Sequence, residues 1–116
     1  MTENAAVDRD SLMERVDDDI ELLQELLEIF EEDAQVHIDA MRAAASAADA
    51  VQLEKSAHSL KGSSYNMSAA RLADLALELE KAGRAGELEG TGEKIDELEA
   101  ELHRVIPALK NIVEEG

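Results

Sequence analysis

Residues 20–45 read IELLQELLEIFEEDAQVHIDAMRAAA, and the fold turns on this stretch. Ile20, Leu23, Leu27, Phe30, Ala34, Ile38 and Met41 return at steps of three and four residues, with Leu22, Leu26 and Ile29 widening the apolar stripe. That is the helical period; a half-buried strand would alternate instead. Asp17, Asp18 and Asp19 precede the run and place N-cap oxygens and negative charge at the helix start, where free amides gather. One long amphipathic helix ending near Ala45 is expected, with an apolar side that it cannot bury alone.

The flanking sequence supplies partners for that side. Upstream, Asp10 and Ser11 can cap a short turn carrying Leu12, Met13 and Val16. Residues 1–9 are mostly polar and unpatterned, so they read as a flexible tail, able to settle onto a domain spanning residues 10–116. Downstream, Asp49 can cap a segment with Leu53, Ala57, Leu60, Ser64 and Met67 on one narrow face, which permits close helix approach. Asn66 and Ser68 mark a break. Ser68 can then cap a helix holding Leu72, Leu75, Ala76 and Leu79 and ending around Gly83. Gly83, Gly86, Gly90 and Gly92 form a flexible connection, after which Thr91 or Gly92 opens a last helix bearing Ile95, Leu98, Leu102, Val105, Leu109 and Ile112. Pro107 lies inside that helix and is expected to kink it, because it lacks a donor and crowds the carbonyl of His103. The expected fold is all-α: an antiparallel up-down-up-down four-helix bundle with a short additional N-terminal helix.

Composition narrows function. The 116 residues hold 28 Asp plus Glu against 11 Lys plus Arg, a formal net charge of −17. Such an excess repels nucleic-acid phosphates and anionic headgroups, so neither nucleic acid nor membrane is an expected partner. The chain has no Cys, which removes disulfides, thiolate zinc sites, iron–sulfur clusters and Cys nucleophiles. No run approaches a membrane span, and MTENAAVDRD lacks the features of a secretory signal, so a cytoplasmic location is expected. The initiating Met and full set of helices favour a free-standing protein.

Three histidines are the candidates for chemistry. His37 follows Asp33, and His103 follows Glu99, by four residues; each reads as a surface or boundary histidine beside a carboxylate. The positions three before His37, His58 and His103 are Ala34, Lys55 and Ala100, so the Glu-x-x-His pairs of di-metal bundles are missing and no metal is expected. His58 stands apart. Residues 55–73 contain no Asp or Glu but include Lys55, Lys61 and Arg71, where the average composition would place about four or five acids. Lys55 and Lys61 lie one turn either side of His58 and can flank its ring, stabilising negative charge acquired there. Gly62 costs a helix about 1 kcal/mol relative to Ala and bares the surface beside the histidine. Composition and spacing alone fit equally well with solubilising lysines and a packing glycine.

The run from Ala57 to Ala69, AHSLKGSSYNMSA, followed by Leu72, Leu75 and the pair Leu79-Glu80, closely resembles the signature of histidine-containing phosphotransfer (HPt) domains of bacterial multistep phosphorelays. The Leu22-Leu23-x-x-Leu26-Leu27-x-x-Phe30 pattern and Gly83-Arg84 are similar to that family too, so the resemblance covers nearly the whole chain from Asp10. It implies a phosphocarrier rather than an enzyme, with no ATP site. His58 would accept phosphate on its outer ring nitrogen from a receiver-domain aspartate and pass it to another receiver; Lys61 would orient and neutralise the phosphoryl group, and Gly62 would give the receiver access. Lys55, Ser59 and Tyr65 are candidate docking residues. The implied partners are response-regulator receivers and a hybrid sensor histidine kinase, meeting a monomer that has no cofactor of its own, with Mg2+ on the receiver. The chemistry agrees: histidine is a competent covalent nucleophile with a neutral fraction at physiological pH. Ser68 and Ala76 depart from the family's usual Gly and small residue or Cys. A helical adaptor that binds a receiver or kinase without carrying phosphate is the alternative.

Overall fold

The computed structural model describes residues 6–115. The described residues form α1 (Arg9–Arg15), α2 (Ile20–Ser46), α3 (Ala50–Asn66), α4 (Ala70–Ala85) and α5 (Thr91–Glu115), with no strand among them. α2 packs on α3 and α5, and α4 packs on the same two helices, closing a four-sided bundle. Cross-helix pairs fix the directions. Arg42 of α2 meets Asp96 and Glu99 of α5 at 2.8 and 2.6 Å, while Glu31 meets Lys110. Glu54 and His58 of α3 meet Arg84 and Glu80 of α4, and Arg71 and Glu78 of α4 meet Glu101 and Lys94 of α5. In each of these three pairs of helices a rising number on one meets a falling number on the other, so α2 and α5, α3 and α4, and α4 and α5 run antiparallel.

The core is the set of stripes legible in the sequence: Leu23, Leu27, Phe30, Ala34, Ile38 and Met41 of α2; Leu53, Ala57 and Leu60 of α3; Leu72, Leu75, Ala76 and Leu79 of α4; and Ile95 through Ile112 of α5 are buried. Leu22, Leu26 and Ile29 are not part of it, remaining 40, 37 and 58% exposed. Each lies one position before a buried residue, so the roughly 100° helical rotation turns it away from the bundle axis. α5 continues through Pro107 to Glu115.

Helix ends show which local signals operate. Asp8, Asp19 and Asp49 accept from the amides of Ser11, Leu22 and Gln52, so α1 is capped by Asp8 rather than Asp10 or Ser11. α4 has Ala69 at its N-cap, whose methyl offers no acceptor, while Ser68 one position earlier pairs its hydroxyl with the Ser11 hydroxyl at 3.0 Å and is not the cap expected from the sequence. α1 to α4 end in the same closure: the amides of Asp18, Asp49, Ala69 and Glu87 reach the carbonyls of Met13, Ala44, Ser64 and Ala82 at 2.8–2.9 Å. That closure puts Asp17, Ala48, Ser68 and Gly86 at φ 56, 56, 57 and 70°. Ser68 therefore occupies a left-handed position that glycine takes without cost, and its bond to α1 offsets part of the strain.

One expectation is corrected. α4 does not end at Gly83; that residue is interior, and a Cβ there would lie 2.7 Å from the Glu54 amide and 2.8 Å from the Ala50 carbonyl, so glycine lets α4 press directly on the α3 backbone. The described part of the tail read over residues 1–9 settles onto the domain, as that reading allowed, and Arg9 already opens α1. Residues 1–5 lie outside the described residues, but Ala6 and Val7 are buried, and the Asp8 amide bonds to the Ser68 carbonyl at 2.9 Å. Two small apolar side chains next to a helix cap gain more from covering the α3–α4 corner than from remaining in water.

Candidate phosphotransfer site on the third helix

α3 presents Val51, Lys55, His58, Ser59, Gly62 and Tyr65 along one exposed strip, at the three- and four-residue spacing that also buries Leu53, Ala57, Leu60 and Ser64 on the opposite side. The predicted residues are thereby brought together, with one exception. Lys61 sits on the border of the strip, its side chain only 22% exposed, and turns toward α4 rather than standing free beside the ring.

Glu80 of α4 is what turns it. Leu79 and Gly83 hold this part of α4 against α3, and Glu80 falls between them at the interface with its side chain 4% exposed. Its Oε1 contacts the Lys61 ammonium at 2.7 Å; its Oε2 lies 2.9 Å from His58 Nδ1 and 2.9 Å from Arg84 Nη2. Arg84 is held in turn by Glu54 of α3, Nε to Oε2 at 3.0 Å. The Lys61 ammonium, and then the His58 hydrogen bond, hold the Glu80 carboxyl below its ordinary value against burial, which pushes it up. Glu54 and Glu80 raise the Arg84 guanidinium above its ordinary value. The cluster is thus a buried carboxylate, charged and surrounded by donors.

A charged carboxylate only accepts hydrogen bonds, so His58 Nδ1 carries the proton in this contact. The neutral ring then has its lone pair on Nε2, the nitrogen on the far edge, and the side chain is 66% exposed. In the neutral ring the contact with Glu80 thus selects the tautomer with its lone pair on Nε2, at the edge away from Glu80. Gly62 adds access: a Cβ built there meets nothing within 4 Å, so no internal packing demands glycine at that position. An open groove lined by Val51, Glu54, Lys55, Ser59, Glu80 and Arg84 continues the exposed surface along one side of His58.

The sequence reading did not assign Glu80, Arg84 or Glu54 to the site. Spacing could not reveal them, since Glu80 lies 22 positions from His58; the signal available was the Leu79-Glu80 pair inside the family signature. The other histidines stay apart from the site. His103 is exposed and His37 partly so, and Glu99, expected beside His103, is bound to Arg42. Among the described residues, no group of three or more metal-ligating side chains converges, and no helix is long and apolar enough to cross a membrane.

Comparison with known proteins agrees with this geometry. Residues 25–108 match the model of the Hpt domain. The fold superposes with a TM-score of 0.85 on the crystal structure of histidine-containing phosphotransfer protein B (HptB) from Pseudomonas aeruginosa PAO1, 33% identical over 98% of this chain and 99% of that one. No curated protein matches the sequence. With an exposed histidine on the third helix, the family's domain over most of its length and a like fold throughout, the chain belongs to the Hpt family and is a histidine phosphotransfer protein of phosphorelays.

Proposed function

We propose that His58 is the phosphoacceptor, taking a phosphoryl group from a receiver-domain aspartate and passing it to the aspartate of another receiver. The observation that carries this reading is the bond from His58 Nδ1 to buried Glu80, which leaves Nε2 as the exposed nucleophile. In the forward step the Nε2 lone pair forms the N–P bond, the P–O bond to the aspartate breaks, and the carboxylate departs with that electron pair. The proton on Nδ1 stays in place. The ring becomes cationic, and Glu80, already 2.9 Å away, stabilises it. Transfer onward reverses these bond changes.

Lys61 supports the same reading by placing an ammonium with spare donors one turn from His58, where it orients and neutralises the phosphoryl group. Gly62 admits the receiver surface. Exposed Tyr65, Ser59 and Lys55 border the nucleophile, and Val51 and Tyr65, about four helical turns apart, offer apolar contacts at the two ends of the strip. The protein acts as a monomeric cytoplasmic carrier with no ATP site and no cofactor of its own; receiver domains and a hybrid histidine kinase are its partners, and Mg2+ belongs to the receiver. Phosphoryl transfer needs mainly positioning and charge stabilisation, which an exposed, tautomer-fixed histidine on a rigid bundle can supply.

Incubation with a panel of phosphorylated receiver domains, followed by intact-mass measurement and acid treatment, tests this directly. Wild type acquires one acid-labile phosphoryl group, and His58→Gln acquires none while keeping its helix content. Receivers that bind wild type without labelling it would instead establish the adaptor.

A further inference from the structure

Glu80 divides its partners unequally between its two oxygens. Oε1 contacts only the Lys61 ammonium, whereas Oε2 is shared by His58 Nδ1 and Arg84 Nη2. Lys61 can therefore swing away without breaking the contacts that hold the ring. Phosphorylation gives it a reason to do so, because a doubly charged group arrives on His58 one helical turn away. The movement has an electrostatic consequence. A carboxylate only 4% exposed cannot give up its ammonium partner cheaply unless another cation stays behind.

The ring is itself cationic once phosphorylated, but the cation that stays on Glu80 both before and after transfer is Arg84. It sits one turn after Glu80 on the same helix, and its second anchor, Glu54 on α3, holds its Nε at 3.0 Å. Its side chain is 61% exposed, so it does not fill the core, and its bridge to Glu54 lies in the exposed groove beside His58. Exposed arginine bridges of this kind contribute little to folding. Arg84's contact with Glu80 Oε2 differs in kind, because there its charge compensates a carboxylate that is buried.

Resting on His58 as the phosphoacceptor, we propose that Arg84 is a positioning residue for the transfer: by remaining on Glu80 it keeps the buried carboxylate compensated while Lys61 moves from Glu80 to the phosphoryl group. No bond beyond those of the transfer itself is made or broken; the step exchanges one ionic contact of Lys61 for another. Arg84 acts through the charge of Glu80, and the inference stands or falls on that dependence.

The test uses the full chain and one receiver domain phosphorylated with acetyl phosphate, and it reads the ratio of phosphorylated carrier to phosphorylated receiver at equilibrium. Arg84→Gln lowers that ratio about tenfold, the size of a close coupling between neighbouring charges, and Arg84→Lys restores most of it. In a Glu80→Gln background, where no buried charge needs compensation, Arg84→Gln produces no further change. Thermal melts confirm that all variants are folded. Equal ratios for wild type and Arg84→Gln overturn the inference, and so does an equal loss in both backgrounds, which would mean that Arg84 contacts the phosphoryl group directly. Failure of the wild type itself to label at His58 overturns the phosphoacceptor reading and this inference with it, so the two failures are distinguishable.

Discussion

Gly62→Ala separates folding from function, because the structure predicts opposite signs for the two. Gly62 lies in the middle of α3 and is exposed, and a Cβ there meets nothing within 4 Å. The free protein should therefore gain the full helix propensity of alanine over glycine, about 1 kcal/mol, with no steric cost to subtract. With a urea m-value of about 1–3 kcal/mol/M, that gain moves the unfolding midpoint up by roughly 0.5 M, and the melting temperature rises by about 4 °C. The partner meets the same methyl differently. In the proposed transfer a receiver that closes on His58 passes over position 62, and an inserted methyl in a tightly packed contact costs about 1–3 kcal/mol, so transfer should weaken by about fivefold to 150-fold. Urea unfolding followed by circular dichroism measures the first effect, and initial transfer rates across a range of receiver concentrations measure the second. A variant that is more stable and transfers like wild type refutes the assignment of Gly62 to partner access. One that is less stable refutes the claim that the position is open.

The same substitution one helix later should have the opposite effect on folding: Gly83→Ala drives a methyl into the α3 backbone at 2.7–2.9 Å and should destabilise by about 1–3 kcal/mol in the same unfolding assay. Ala48 closes α2 at φ 56°; relief of the left-handed strain, about 1–2 kcal/mol, less the unfolded-state entropy that glycine adds, leaves Ala48→Gly more stable by about 0.5–1 kcal/mol. Glu80 has its folded-state pKa lowered, so its charge contributes stability that is present above its unfolded value and is lost as pH falls through the folded one. Glu80→Gln should accordingly be less stable than wild type at pH 7, and the gap should narrow as the pH falls below the ordinary carboxylate value of 4.5; a gap independent of pH would show that the charge of Glu80 is not what stabilises.

The bundle was legible because its information is local. Leu23 through Met41 and Ile95 through Ile112 announce helices by period alone, and Asp19 and Asp49 announce their starts by chemistry that acts within one turn. Stops were harder, because Asp17, Ala48 and Ser68 adopt the left-handed conformation that sequence reading assigns to glycine, while Gly83 serves helix packing inside α4. Whether Leu22, Leu26 and Ile29 are core or surface depends on the angle at which neighbouring helices cover α2, which periodicity does not contain. At the site, His58, Lys55 and Gly62 share one helix face, so spacing could group them. Glu80, Arg84 and Glu54 enter through the pairing of α3 with α4, a relation between distant segments that only the fold supplies.

A net charge of −17 opposes the approach of a phosphoryl dianion, and local structure is what reconciles the two. At physiological ionic strength, exposed charges act over a Debye length of about 8 Å, so the many acids on distant helix surfaces are largely screened from His58. What counts is the immediate set. Glu80 and Glu54 are matched there by Lys61 and Arg84, and Lys55 adds a cation on the exposed strip. Local charge around His58 is therefore near neutral or positive although the global charge is strongly negative. The acid-free window from Lys55 to Ala73 makes this possible by leaving Glu54 as the one carboxylate within α3. The carboxylates that do reach the site arrive from α4 and from Glu54, already paired, and one of them sets the histidine's tautomer. Negative charge elsewhere keeps the carrier soluble and opposes its self-association, so a local exception to the global charge suffices for the chemistry.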